Sequence, residues 1–177
     1  MTRKSTQIAL GGLAAAMCLI LMFMTGLIPF ATYLMPVMAG AMLIPIVHEN
    51  GRRAALMVYA AVGLLSLLVV PDKEAAAMFV AFFGYYPVIK GKIENAFAKA
   101  SALLVKLVIF NVAVVGAYAL IILVLGMPDL ISDFGDFGRY TAVVFIAAGN
   151  VIFFGYDVAL ERYTRLYVRW FKPTFLK

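Results

Sequence analysis

Long apolar runs, separated by short charged or proline-containing segments, organise this chain. A helix needs about 20 residues to cross the hydrocarbon core of a bilayer, with a range of roughly 17 to 25. Six runs approach this length, at 7–28, 32–47, 54–70, 75–89, 103–125 and 140–160. The pattern predicts an all-α, polytopic membrane protein with six transmembrane helices. The second and fourth runs are short, so snorkelling end residues or a thinner local bilayer must complete them.

Basic residues lie in alternate connections between these runs. Cytoplasmic segments close to span ends carry most of the Lys and Arg of a membrane protein. With the N-terminus inside, 13 of the 15 basic residues fall on the cytoplasmic side, and only Lys73 and Arg139 fall outside. We therefore predict a multi-pass protein of the cell membrane with both termini in the cytoplasm.

The composition supports this interpretation independently of the pattern. Hydrophobic residues make up 65% of the chain and charged residues 14%, with a mean hydropathy of +1.00. A soluble domain of about 150 residues buries only about 70% of the surface that its unfolded chain exposes, so much of this apolar surface must face lipid. Residues 1–177 are predicted to form a single transmembrane domain. The net charge of +6 is an orientation signal, and we expect no nucleic-acid partner.

Three segments outside the runs carry amphipathic patterns. Residues 91–106, GKIENAFAKASALLVK, place apolar and basic side chains on separate stripes and predict an interfacial helix. Residues 127–139 mix three aspartates with apolar residues and predict a cap over the outer mouth. Residues 161–177 form a basic amphipathic cytoplasmic tail, predicted to lie along anionic headgroups. Membrane lipid is thus one predicted partner.

The stretch FFGYYPVIKGK ends the fourth run and has two interpretations. In the first, Tyr85 and Tyr86 lie at the inner headgroup level, Pro87 loosens the last turn and the following lysines, including Lys90, are in water. In the second, Gly84 and Pro87 weaken the helix so that its inner end yields when a partner binds.

Fragments of enzyme motifs are incomplete. HENGR at His48 lacks the second histidine of HExxH. The DFG triplets at Asp133 and Asp136 lack a glycine-rich loop, a partner lysine and a catalytic loop. We predict that the protein is not an enzyme and has no catalytic residue, metal site or cofactor. No Walker A sequence is present, so ATP-driven work must come from another chain.

Polar side chains inside the spans are costly unless they face a partner or a cavity. Asn111 and Asn150 either bond neighbouring helices or, for Asn150, face a binding cavity. Asp157 is predicted to pair with a cytoplasmic-side cation such as Lys106 or Arg162. A proton path is disfavoured because no further ionisable residue lies above Asp157 in the spans.

Small residues in the first run are spaced for close helix packing. Gly11 with Ala15, and Gly12 with Ala16, form small-xxx-small pairs that let another helix approach to backbone contact. The pairs are predicted to serve contacts within the chain or with a partner, and both interpretations stay open.

In its size, six spans, inside termini and these small-residue pairs, the chain resembles the S component of energy-coupling-factor (ECF) transporters, their membrane-embedded substrate-binding subunit. An alanine-x-x-x-alanine pattern on the first helix of that family docks onto a transmembrane scaffold subunit. Here Gly11 and Gly12 replace the first alanine of each pair. The resemblance implies capture of a vitamin or other small micronutrient from outside, with two ATPase subunits on the scaffold driving the toppling of the S component.

The resemblance also implies a pocket in the outer half, closed by external loops. Such sites are concave and mostly apolar, with a few polar groups that orient the ligand. The predicted substrate-binding residues are Tyr33, Glu74, Met78, Tyr118, Tyr140 and Asn150, with Phe134 and Phe137 on the cap. The acidic cap favours a cationic or neutral substrate over an anionic one.

A second hypothesis from another class is a non-transporting membrane scaffold, resembling the rod-shape-determining D subunit, which is also small and multi-spanning. A ligand-sized cavity lined by the named tyrosines would favour capture. A solid outer half would favour scaffolding. A stand-alone proton-coupled carrier is disfavoured because intramembrane charges are scarce.

Overall fold

The computed structural model describes residues 4–28, 31–123 and 141–171. Within these ranges the chain consists of helices joined by short turns and contains no strand, which confirms the all-α class. Seven α-helices follow one another in these ranges: α1 Lys4–Met24, α2 Leu34–Ala41, α3 Leu43–Val69, α4 Lys73–Met78, α5 Tyr86–Ala96, α6 Lys99–Leu123 and α7 Thr141–Leu166. Two π-helical segments, Phe79–Phe83 and Tyr167–Phe171, follow α4 and α7.

In the part of the chain that the structure describes, three helices are long and apolar enough to cross a membrane. They are Lys4–Met24, Leu43–Val69 and, within α6, Lys99–Ala119. Their large side chains face outward in many places, with Ile8 76% and Leu68 70% exposed. A contiguous apolar exterior is stable only against apolar surroundings. This part of the fold is therefore typical of a membrane protein.

The apolar run 32–47 is divided between two helices that meet at Met42. The second of these, α3, includes residues 48–53, the short connection predicted between runs 32–47 and 54–70, and its backbone leaves the helical conformation there. Gly51 has φ 83° and ψ 167°, a backbone conformation open to glycine and strained for other residues. Two helical stretches therefore meet at Gly51, within the segment that the sequence predicts as the connection between runs 32–47 and 54–70.

The predicted fourth span, 75–89, consists of three pieces. Helix α4 passes into the π-helical segment Phe79–Phe83, which ends with a hydrogen bond of 2.8 Å from the Gly84 amide to the Phe79 carbonyl. Helix α5 then begins at Tyr86 with Pro87 in its first turn, where proline has no hydrogen bond to remove. The irregular part of the run thus lies next to Gly84 and Pro87, where the sequence predicts a loosened or weakened helix.

The close approach at this break requires a glycine. A Cβ atom on Gly84 would lie 2.5 Å from Cδ2 of Tyr59, whose hydroxyl donates a hydrogen bond of 2.6 Å to the Val80 carbonyl. The Tyr59 ring thus covers the irregular segment, and its hydroxyl satisfies a carbonyl there. Local irregularity of this kind needs such a partner when it is buried.

The prediction of one interfacial helix over 91–106 is wrong. Helix α5 ends at Ala96, Phe97 is extended with φ −128° and ψ 152°, and α6 begins at Lys99. The Ser101 hydroxyl donates to the Ala98 carbonyl over 3.0 Å, which supports the new helix start. The amphipathic pattern was real, but it is divided between two helices.

Two apolar clusters hold the helices together. The first joins α1, α2 and α3, and includes the fully buried Cys18, Met22 and Leu43. The second is aromatic and centres on Phe82, which stacks on Tyr86 with ring centroids 4.6 Å apart. Aromatic pairs contribute about 0.5–1.5 kcal/mol each beyond their buried area. The second cluster fixes α5, α6 and α7 around the irregular segment.

Candidate functional site

Three of the predicted substrate-binding residues share one set of hydrogen bonds, which we call the Glu74 cluster. The Tyr33 hydroxyl, just before α2, lies 2.5 Å from Oε1 of Glu74 in α4. The Tyr118 hydroxyl, in α6, lies 3.1 Å from the same oxygen and 3.1 Å from the Tyr33 hydroxyl. Side chains 41 and 44 residues away from Glu74 therefore converge on one carboxylate oxygen.

The short turn before α4 holds Glu74 in place. The Asp72 carboxylate accepts a hydrogen bond of 2.9 Å from the Ala75 amide and so caps the helix. The Lys73 ammonium donates to the Leu67 carbonyl over 3.0 Å, which ties the turn to the end of α3. Asp72, Lys73 and Glu74 thus each have a different contact, and only the Glu74 carboxylate points toward the two tyrosines.

The Glu74 cluster is open to the surroundings. Tyr33 is 42% exposed, and Glu74 and Tyr118 are half-buried. Among residues 4–28, 31–123 and 141–171, no lysine or arginine forms an ion pair with Glu74. A carboxylate beside exposed aromatic rings can accept hydrogen bonds from a ligand and attract a cationic group.

The other predicted substrate-binding residues lie elsewhere or outside the described residues. Met78 is only 4% exposed and packs within the aromatic cluster. Tyr140 and the cap residues Phe134 and Phe137 lie outside the described residues. The substrate role of the whole set stays a prediction.

Asn150 forms a reciprocal pair with Asn111 between α6 and α7. The Asn111 amide donates to Oδ1 of Asn150 over 2.9 Å, and the Asn150 amide donates to Oδ1 of Asn111 over 3.1 Å. Each amide also donates to a carbonyl one turn earlier in its own helix. Because each amide has two donors and uses both, the geometry favours the helix-bridging interpretation for Asn150.

The two small-residue pairs on α1 face different surroundings. A Cβ atom on Gly11 would lie 3.6 Å from Cγ2 of Val58, and Ala15 packs against the first apolar cluster. Gly12 has nothing within 4 Å of a Cβ position, and Ala16 is exposed. Gly11 and Ala15 therefore serve contacts within the chain, and Gly12 and Ala16 present small residues outward.

The predicted pairing of Asp157 with Lys106 is confirmed, at 3.0 Å between Nζ and Oδ2. Three further residues that sequence reasoning did not assign to it join the same set. The Tyr86 hydroxyl donates to Oδ1 of Asp157 over 2.5 Å, Lys90 pairs with that oxygen, and Glu94 pairs with Lys106 over 2.5 Å. We call these five residues the Asp157 network.

The prediction that Lys90 is in water is wrong, and Tyr86 points into the protein. Lys90 is 6% exposed and Tyr86 is fully buried. The sequence held one signal of this arrangement, because Lys90 and Glu94 have i,i+4 spacing and form an ion pair of 2.9 Å. Nothing local indicated Asp157, which lies 67 residues from Lys90.

Glu94 is the exposed member of the Asp157 network. Burial raises the pKa of its carboxyl, but the hydrogen bonds and charges of Lys106 and Lys90 outweigh that effect. The pKa of Glu94 therefore lies below its usual value, and the carboxylate is ionised at neutral pH. The network holds two cations and two anions, so its charges cancel.

The start of the predicted tail packs against the chain. Helix α7 continues through residue 160 to Leu166 without a break. Tyr167 is 5% exposed, and its hydroxyl lies 3.3 Å from Oε1 of Glu49. Burial and this neighbouring carboxylate raise the pKa of Tyr167 to about 12. Tyr167 thus faces protein, where the pattern predicted a lipid surface.

Comparison with known protein families, with curated proteins and with solved structures finds no match to this chain. The class of protein is therefore defined by its own features: over residues 4–28, 31–123 and 141–171 it is all-helical, with three helices long and apolar enough to cross a membrane.

Proposed function

We propose that this protein is the substrate-capture subunit of an ATP-driven importer of the ECF type. It binds a vitamin or other small micronutrient from outside, and the Glu74 cluster contributes the polar groups of the site. The observation that carries the proposal is the convergence of Tyr33, just before α2, and Tyr118, in α6, on the Glu74 carboxylate of α4. Ligand sites usually contain a few polar groups that fix the orientation of the ligand. The partly exposed hydroxyls and carboxylate of the Glu74 cluster could serve as such groups.

The proposal includes six spans and inside termini. Support comes from the fold, in which the residues predicted to be cytoplasmic and those predicted to be at the outer side form two separate groups. Arg52, Lys90 and Arg165, which come from three segments predicted to be cytoplasmic, line one cavity. The Glu74 cluster unites residues from segments predicted to be at the outer side. The clustering of cationic residues at the cavity supports a cytoplasmic position for it.

The partners in this proposal are a transmembrane scaffold subunit and two ATPase subunits. Gly12 and Ala16 support this assignment, because they form an exposed small-residue pair on α1 that allows close helix contact. The chain has no Walker A sequence of its own, so the ATPases are separate chains.

The test is purification of the protein from its native host, followed by mass spectrometry of co-purifying chains and small molecules. Wild type should carry a small molecule, a scaffold chain and two ATPases. Glu74→Gln keeps a hydrogen-bonding side chain but removes the charge, and it should lose most of the bound molecule while keeping the partner chains. Asp72→Asn is the matched control, because asparagine also caps helices well. Absence of both ligand and partners from wild type would overturn the proposal.

One observation favours the alternative, a non-transporting membrane scaffold. The cavity described below is lined by none of the six predicted substrate-binding residues. A scaffold should co-purify with assembly partners and with no small molecule, and Glu74→Gln should then leave its partner set unchanged.

A further inference from the structure

A cavity of about 260 Å³ lies between α3, α5 and α7, apart from the Glu74 cluster. Its apolar lining includes Ile44, Val47 and Leu160, and its polar lining includes Arg52 and Asn95. A cavity lined by both apolar and polar groups suits an amphiphilic ligand, because water alone would solvate the apolar lining poorly.

The charges of the cavity lining are not all neutralised within the chain. Lys90 is paired with Asp157 and Glu94, and Arg165 is paired with Glu161 at 3.5 Å. Among the residues that the structure describes, no carboxylate forms an ion pair with Arg52. Arg52 is exposed and follows the Gly51 bend, so its guanidinium can meet a ligand at the cavity mouth. The excess charge at this site is therefore positive.

Gly91 provides room in the cavity. It lies in α5 among the lining residues, and a Cβ atom placed on it would have nothing within 4 Å. Helix α5 thus leaves open space where most residues would place a side chain. A larger residue at position 91 could therefore fill the cavity without displacing a neighbouring side chain.

We propose that this cavity binds an anionic phospholipid, with its phosphate at Arg52 and part of an acyl chain on the apolar lining. Arginine is well suited to phosphate because its planar fork donates two parallel hydrogen bonds. Basic pockets between helices on the cytoplasmic side bind anionic lipid headgroups, and that leaflet supplies them. A free phosphate has the same headgroup chemistry but leaves the apolar lining uncovered, so the geometry favours the lipid.

The test measures binding of a short-chain phosphatidylglycerol to the full chain in neutral detergent by native mass spectrometry, with phosphatidylcholine as the reference lipid. Phosphatidylglycerol should bind more tightly, and increasing salt should reduce the difference. Arg52→Gln should weaken its binding by about fivefold, the effect of one basic residue near an anionic surface. Gly91→Leu should weaken it at least as much by filling the cavity.

Two matched variants control for general effects. Arg53→Gln removes an adjacent exposed arginine that does not line the cavity, and Gly155→Leu adds a side chain at an exposed glycine of α7 that also has open space around it. Both should bind phosphatidylglycerol like wild type. If Gly91→Leu does not fold, Arg52→Gln still decides the test, because it changes only an exposed side chain.

Three outcomes would overturn the proposal. Equal binding of the two lipids would show that the positive charge of the cavity does not select an anionic headgroup. Equal effects of Arg52→Gln and Arg53→Gln would show that the cavity is not the site. Complete displacement of phosphatidylglycerol by millimolar inorganic phosphate would identify the ligand as the soluble anion.

Discussion

The Tyr86 hydroxyl donates a hydrogen bond of 2.5 Å to Oδ1 of Asp157, which joins the first turn of α5 to α7. Lys90, one turn later in α5, pairs with the same carboxylate, and Lys106 approaches it from α6. Burying a single charge is strongly unfavourable, whereas a buried charge with several partners is tolerated. This carboxylate is therefore the point at which three helices are held together.

Asp157→Asn should destabilise the protein by about 3 kcal/mol, because removing one partner of a buried ion pair typically costs about 3–5 kcal/mol. Tyr86→Phe removes a single hydrogen bond and should cost about 1 kcal/mol. Unfolding in mixed micelles measures both values. Glu161→Gln is the control, since its pair with Arg165 is largely exposed and contributes little. An Asp157→Asn cost no larger than that of the control would contradict this role.

Stability should fall in acid partly through Glu94. The pKa of this carboxyl in the folded state lies below its usual value, which is about 4.3. Its contribution is therefore complete above that value and is lost as the pH falls through the folded pKa. Wild type should lose unfolding free energy below about pH 4 more steeply than Glu94→Gln. Lys90, Lys106 and Asp157 are unchanged in both proteins, so parallel curves would exclude the effect.

The Asn111–Asn150 pair should behave as one unit. Asn150→Leu alone leaves the Asn111 amide without its partner and should cost about 1 kcal/mol, in the range of hydrogen bonds between membrane helices. The double replacement of both residues by leucine should recover part of that cost, since no polar group is then left unpaired. A double-mutant cycle on the unfolding free energy measures the coupling. Additive costs would show that the two amides act independently.

Gly40 should tolerate no side chain. A Cβ atom there would fall on the Phe83 carbonyl oxygen, and backbone cannot move aside as the end of a side chain can. Gly40→Ala should therefore cost about 2 kcal/mol or more. Gly116→Ala, on the exposed face of α6 with nothing within 4 Å, should be neutral or stabilising by up to about 1 kcal/mol. Equal thermal stabilities of the two variants would contradict the close contact.

The predicted orientation can be tested with single cysteines. Cys18, the only native cysteine, is fully buried and should not react in intact cells. An impermeant thiol reagent added outside should label Asp72→Cys and spare Arg53→Cys, because the positive-inside distribution places these positions on opposite sides. Labelling at position 53 alone would reverse the orientation, and labelling at both would refute the span assignment.

Much of the helical content was predictable, but the helix ends were not. The apolar runs indicated the helices because lipid imposes a length and composition on every crossing. The break at Phe97 was missed, because it depends on how the chain packs on either side. The bend at Gly51 falls in the predicted connection between runs 32–47 and 54–70. The residues of the Glu74 cluster were predicted individually, as outer-half positions of the pocket that the family resemblance implies. Their mutual hydrogen bonds appeared only in the fold.

The sequence by itself indicated that this protein belongs in a membrane. Hydropathy and the distribution of charges can be read along the chain without knowing which residues are in contact. The sequence also indicated that Asp157 needs a cation, because an unpaired carboxylate is costly in an apolar interior. Only the tertiary structure decided that Tyr86 and Lys90 turn inward to meet it across 71 and 67 residues of chain. Both residues lie in α5, directly after the π-helical segment and the close contact between Gly84 and Tyr59, and neither feature follows from local sequence alone.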